Sequence, residues 1–157
     1  MNFITHPVRK SNLATMIGSA GGISVGTALA RARANLETMR EQALTVIDAS
    51  ITALETVPAP TGPEDMSARR EQAYREATSL IDAAGPFELF DLCRAAAGLC
   101  DLIGALDPEQ PFDWRIVTVH ARSLRLLQTL PPEAAPERAH ILESLNEVVQ
   151  RKLAQTG

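Results

Sequence analysis

The fold of this chain is decided by residues 24–57, which read SVGTALARARANLETMREQALTVIDASITALETV. Apolar or small side chains recur there every three or four residues, which is the spacing of a heptad seam along one helix face. The members of this seam are Leu29, Ala32, Leu36, Met39, Ala43, Val46, Ser50 and Leu54. Ile47 and Ile51 widen the stripe, which predicts a long helix packed against two neighbouring helices.

Prolines divide the rest of the chain, because proline is excluded from helix interiors and tolerated in the first turn. The ten prolines fall at 7, 58–63, 86, 108–111 and 131–136. The later helical windows are 64–84, 87–106, 113–130 and the stretch after Pro136. No β-branched alternation is long enough for a strand. The sequence therefore predicts an all-α, antiparallel bundle of about five helices with a long N-terminal helix.

The chain begins with a glycine-rich, basic segment that contains Arg9 and Lys10. The glycines at 18–26 follow no strand and lack the lysine of a phosphate-binding loop, so they indicate a flexible joint. We expect a flexible basic arm of residues 1–22 followed by a helical bundle domain of residues 23–157.

Composition excludes several classes of function. The net charge is -4 and only 4% of the residues are aromatic, whereas a general nucleic-acid binder needs a basic surface and often stacking aromatics. No stretch approaches the ~20 apolar residues of a membrane span. A chain of 157 residues buries enough surface to fold without a metal or a disulfide. We expect no nucleic acid, membrane, metal or cofactor.

The two cysteines, Cys93 and Cys100, are seven residues apart. On a helix this spacing separates them by about 10 Å along the axis, which is too far for a disulfide. The spacing predicts reduced, buried thiols that act as small apolar side chains, and hence a cytoplasmic protein.

His120 is the strongest candidate for chemistry. At 100° per residue it falls among Ile116, Leu124 and Leu127, which predicts a hydrogen-bonded histidine in the core. The alternative is a phosphoacceptor in a histidine phosphotransfer domain, which requires an exposed ring. His140 shares the outer face of the last helix with Glu143, and without a second such pair this indicates a solvated face and no metal site.

Charge is distributed unevenly along the chain. Residues 1–36 hold four basic residues and no acidic one, so this segment carries a charge of +4. Because the net charge of the whole chain is -4, residues 37–157 carry a charge of -8. Helical spacing also places Arg115, Arg122 and Arg125 side by side on the fourth helix. This face is either solvated or a docking strip for an acidic partner, and Arg9 and Lys10 provide a second basic element.

Several short elements occur in a characteristic order: Arg9-Lys10, Gly21-Gly22-Ile23, Ala28 through Asn35-Leu36-Glu37, Leu99-Cys100-Asp101-Leu102, Asp113-Trp114, Val119-His120 and Leu124-Arg125-Leu126-Leu127. This order resembles small helical proteins encoded in alphaproteobacterial chemotaxis clusters, sometimes labelled CheE. The resemblance spans most of the chain, but residues 58–74 have no counterpart in those proteins. It implies a cytoplasmic accessory of chemosensory or two-component signalling and supplies no catalytic residues.

No catalytic constellation is present in the sequence, so we expect a non-enzymatic protein-interaction module in bacterial signalling. It would dock a protein partner through the Arg115, Arg122 and Arg125 face or through the basic arm. The long helical seam also predicts self-association as a homodimer. The alternatives are histidine phosphotransfer through His120 and small-molecule sensing in a polar pocket of the bundle core.

Overall fold

The computed structural model describes residues 22–105 and 112–154, which contain five α-helices and no strand. The helices are α1 (Val25–Thr56), α2 (Pro63–Ala84), α3 (Phe90–Ala105), α4 (Arg115–Thr129) and α5 (Ala135–Leu153), with a 3-10 turn at Gly85–Phe87 between α2 and α3. The predicted all-α bundle is confirmed. Each helix begins and ends within a few residues of the window that the prolines delimit, because the prolines lie between helices or in their first turns.

The chain forms two compact units, Met1–Thr38 and Met39–Gly157. In the first unit the described residues, 22–38, are all exposed. Ser24 caps α1, since its hydroxyl accepts the N–H of Thr27 at 3.1 Å. The predicted arm of residues 1–22, with Arg9 and Lys10, lies outside the described residues except for Gly22.

In the second unit α3 is the central helix and packs against α2, α4 and α5. Leu99 and Leu102 of α3 are fully buried, whereas Phe90 in its first turn is 62% exposed. Ile47 and Ile51 of α1 are also fully buried, as the widened stripe predicts. The core of the unit is therefore built around the most apolar helix of the sequence.

Contacts between side chains define the helix directions. Thr78 on α2 lies 3.9 Å from the thiol of Cys100, and Arg70, two turns earlier, reaches Ile103, so α2 and α3 are antiparallel. By contrast, α3 and α5 are parallel, because Asp91 pairs with Arg138 near the beginnings of these helices and Gly98 approaches Val149 further along both of them. The groove between the parallel helices α3 and α5 holds the site described below.

Arg70 of α2 is a charged residue in the interior of the bundle. Its side chain is buried, and Nη2 donates to the carbonyl of Ile103 at 2.9 Å. The guanidinium also lies 5.5 Å from the ring centroid of Phe112. A cation is favourable here because the last carbonyls of α3 form the negative end of the helix dipole.

The cysteines are free and only half-buried, where full burial was expected. Burial raises the pKa of both thiols, Cys93 and Cys100. Both therefore remain protonated at neutral pH, which makes them weak nucleophiles.

Replacing Leu99 by alanine tests the central position of α3. We expect the free energy of unfolding to fall by about 2–5 kcal/mol, because the substitution leaves a cavity in a packed core. The matched control is Leu126→Ala, at a side chain that is 48% exposed, where the loss should stay below about 1 kcal/mol. Urea unfolding followed by circular dichroism measures both changes, and equal losses would contradict the described core.

Candidate functional site

His120 lies in α4 with its ring fully buried, which confirms that it faces inward. Its Nδ1 is 2.8 Å from the carbonyl oxygen of Ile116, one helical turn earlier. A carbonyl oxygen only accepts hydrogen bonds, so Nδ1 carries the hydrogen and Nε2 keeps a free lone pair. Burial lowers the pKa of His120, which keeps the imidazole neutral at physiological pH.

Nε2 of His120 is the one buried side-chain nitrogen or oxygen without a hydrogen-bond partner in the described part of the chain. His120 is one of the residues that line a cavity of about 260 Å³ between α3 and α5. Four polar side chains also line this cavity: Arg94, Asp101, Asn146 and Gln150. Sequence reasoning placed the histidine but not the cavity, because the facing residues come from two helices whose pairing the sequence does not reveal.

The burial of His120 bears on the phosphotransfer alternative. A phosphoacceptor must place its ring nitrogen against the aspartyl phosphate of a docked receiver domain, which requires a solvated ring. The ring of His120 is 0% exposed. The buried ring does not meet this requirement in the folded conformation.

The side chain of Arg125, the third arginine of the predicted strip, is bound to α1. Its Nη2 donates to Glu55 at 2.9 Å and to the hydroxyl of Thr52 at 2.8 Å, and Nη1 donates to Asp48. The hydrogen bond from Arg125 lowers the pKa of Asp48. Arg125 therefore joins α4 to α1, and its donors are occupied within the chain.

Arg115 forms a two-pronged ion pair with Asp113, in which Nε and Nη2 each donate to a carboxylate oxygen at 2.9 Å. Lys152 near the end of α5 also donates to Asp113, at 3.3 Å. These contacts hold the pKa of Asp113 well below its usual range. Asp113 also accepts the N–H of Arg115 at 3.2 Å, so it supports the first turn of α4, whose cap residue is Trp114.

One face of α4 combines exposed basic and apolar side chains, and we name it the α4 strip: Arg115, Val119, Arg122 and Leu126. Val119 and Leu126 are 44% and 48% exposed, and Arg122 is exposed between them. These residues follow one another at intervals of four, three and four, which aligns them along the helix. The strip retains two of the three predicted arginines and adds two apolar residues that sequence reasoning did not single out.

Two further features were predicted from the sequence: the pair of His140 and Glu143, and the apolar seam of α1. His140 and Glu143 are exposed on α5, and within residues 22–105 and 112–154 no group of three or more metal-binding side chains forms. On α1 the segment 22–38 exposes an apolar row, in which Val25, Leu29 and Leu36 are 76%, 54% and 42% exposed. Leu29 and Leu36 belong to the predicted seam, so the part of the seam before residue 39 is exposed and is not packed against two neighbouring helices as predicted.

No family model, no curated protein and no solved structure matches this chain. None of the described helices is both long enough and apolar enough to cross a membrane.

Burial of His120 predicts that stability depends on pH. An unfolded histidine has a pKa of about 6.5, whereas the pKa of His120 in the folded chain is lower, so the unfolded state binds more protons. The stabilisation is complete above about pH 6.5 and is lost as the pH falls toward the folded pKa. We expect the free energy of unfolding to fall between about pH 7.5 and about pH 5, above the range in which Asp48 and Asp113 titrate.

Two leucine substitutions isolate this effect. His120→Leu should remove most of the decrease, and His140→Leu, the same change at an exposed histidine, should retain it. Urea unfolding across the pH range provides the comparison. A pH dependence that survives in His120→Leu would assign the effect to other groups.

Proposed function

We propose that this chain is a non-enzymatic, cytoplasmic protein-interaction module of bacterial chemosensory or two-component signalling, and that it docks an acidic partner through the α4 strip. The observation that carries the proposal is the alternation of basic and apolar side chains on one exposed helix face. Val119 and Leu126, each nearly half exposed, stand next to Arg115 and Arg122.

This alternation suits a particular kind of partner. Single exposed apolar residues are common on protein surfaces, but a row that combines them with arginines offers both apolar burial and charge attraction. An amphipathic segment with acidic side chains beside its apolar face complements such a row. The partner is therefore expected to present an acidic helix or loop.

Arg125 is not part of this docking surface, because its guanidinium is bound to Asp48, Thr52 and Glu55. Arg125 instead fixes the position of α4 against the C-terminal part of α1. Arg9 and Lys10 provide a second basic element that contacts the same acidic partner.

The signalling context rests on the resemblance to small helical proteins of alphaproteobacterial chemotaxis clusters. The cytoplasmic location rests on the two free thiols, Cys93 and Cys100, because cysteines are kept reduced in that compartment.

Reversing the charge of Arg122 tests the α4 strip. The protein and its Arg122→Glu variant are used to capture partners from the host lysate, with Arg75→Glu on α2 as the control for the same charge change at another exposed arginine. We expect the wild type and the control to retain chemoreceptors, histidine kinases or receiver proteins that Arg122→Glu loses. With the purified partner, Arg122→Glu should bind about tenfold more weakly, and binding should weaken with salt.

Two results would contradict the proposal. One is capture that yields no signalling protein. The other is equal retention of such a protein by Arg122→Glu and Arg75→Glu, since the α4 strip would then have no part in binding.

A second observation favours self-association, and we propose a parallel homodimer through α1. Leu29 and Leu36 are exposed and seven residues apart, so they occupy the same heptad position, with Ala32 between them. In a parallel pair Arg33 faces the neutral position 28 of the second copy, whereas an antiparallel pair brings arginines together. Charge therefore selects the parallel arrangement.

Two glutamates placed on the seam test the homodimer. We expect the Leu29→Glu/Leu36→Glu variant to be monomeric, because glutamates at these positions bury charge and repel one another across the interface. The variant Ala30→Glu/Ala34→Glu makes the same charge change on the opposite face of the helix and should remain dimeric. Sedimentation velocity over a range of concentrations measures the mass, and a monomeric wild type would exclude the dimer.

A further inference from the structure

We propose that the cavity between α3 and α5 is a binding site for a small uncharged molecule with an apolar body and one hydroxyl or N–H donor, which His120 receives through Nε2. The site lies on the opposite side of α4 from the α4 strip and does not depend on the docking proposed above.

The anchor of the site is a buried acceptor. Because Nδ1 of His120 donates to Ile116, Nε2 presents a lone pair and no hydrogen. Nε2 has no partner in the described residues although the ring is fully buried. Buried polar atoms in folded proteins nearly always have a partner, so an orphaned acceptor on a cavity wall indicates a donor that comes from outside the chain.

The cavity walls define the rest of the molecule. Leu142, Leu145 and Val149 of α5 form an apolar side. At the rim, Arg94 and Asp101 of α3 carry opposite charges that offset each other. This lining favours an uncharged molecule, and a volume of about 260 Å³ lies just below the ~300–1,000 Å³ of drug-sized sites, which suits a small ring.

A metal ion is the other ligand that a neutral imidazole nitrogen binds, and an Nδ1–H bond to a carbonyl is typical of metal-binding histidines. A stable metal site needs two or more further protein ligands. The cavity supplies one carboxylate, Asp101, and the described residues contain no cluster of three metal-binding side chains. The cavity is therefore better suited to a hydrogen-bond donor than to a metal.

Gly98 controls the approach to His120. A Cβ atom added at Gly98 would lie 3.8 Å from Nε2 and 3.2 Å from Cγ2 of Val149. A glycine here leaves the space beside the imidazole open, and any side chain would narrow it. A neighbouring groove of about 570 Å³ shares Arg94, Leu142 and Asn146 with the cavity.

Phenol and toluene form a matched pair of probes, since they have nearly the same shape and only phenol donates a hydrogen bond. Each is titrated into ¹⁵N-labelled protein while the imidazole nitrogens are followed by long-range ¹H–¹⁵N correlation spectra. We expect phenol to move the Nε2 resonance of His120 in a saturable way and to bind about fivefold more tightly than toluene, as one hydrogen bond implies.

Three variants separate the site from a general effect. His120→Leu removes the acceptor and should lower the affinity for phenol to that for toluene. Gly98→Ala should weaken both probes, because the added methyl group fills the space beside the ring. Gly104→Ala, the same change on the same helix with no atom within 4 Å of the added Cβ, should leave binding unchanged.

Other outcomes would overturn the proposal. An Nε2 resonance that already shows a hydrogen bond and does not respond to phenol would mean that ordered water alone satisfies the acceptor. A spectrum that shows hydrogen on Nε2 would mean that Nε2 is not a hydrogen-bond acceptor. Equal affinities for phenol and toluene would mean that the cavity is a nonspecific apolar groove in which Nε2 does not contribute to binding. Should His120→Leu fail to fold, the comparison between Gly98→Ala and Gly104→Ala on the intact histidine still decides the question.

Discussion

The close approach of α3 to α5 at Gly98 is the constraint on which the second unit depends. A side chain at this position would meet Cγ2 of Val149 at 3.2 Å, so glycine lets the two parallel helices approach here. The same glycine lies beside Nε2 of His120 and keeps the space around it open. One small residue therefore sets both the packing of the central helix and the shape of the cavity, because packed interiors accommodate even a methyl group only by shifting neighbours.

Arginines account for much of the polar contact between helices. Arg138 binds Asp91 through Nε at 2.7 Å and caps α4 by donating to the carbonyls of Leu127 and Leu130 at 2.8 and 3.0 Å. Arg70 likewise donates to the carbonyl of Ile103 at the end of α3, and Arg125 joins α4 to α1. The guanidinium group suits this work because its planar set of donors satisfies several acceptors at once.

This use of arginine limits what a charge pattern reveals about function. Arg115, Arg122 and Arg125 share a helical face by periodicity, yet Arg125 reaches carboxylates of another helix and Arg115 pairs with Asp113. A long side chain can turn toward either neighbour from the same position on a helix. An arginine that lies beside exposed apolar residues, as Arg122 does beside Val119 and Leu126, is therefore a better indicator of an interaction surface than the charge pattern alone.

The amino-acid sequence alone is enough to predict the helices, because proline positions and apolar spacing act within a single segment. It also determined that His120 faces inward, since the angle around α4 depends only on residue number. Packing between helices fixes three further features: the cavity beside His120, the burial of Arg70 and the binding of Arg125 to α1. Each of these facts depends on which residue of another helix lies opposite, and helix pairing is set by the packing of the whole core.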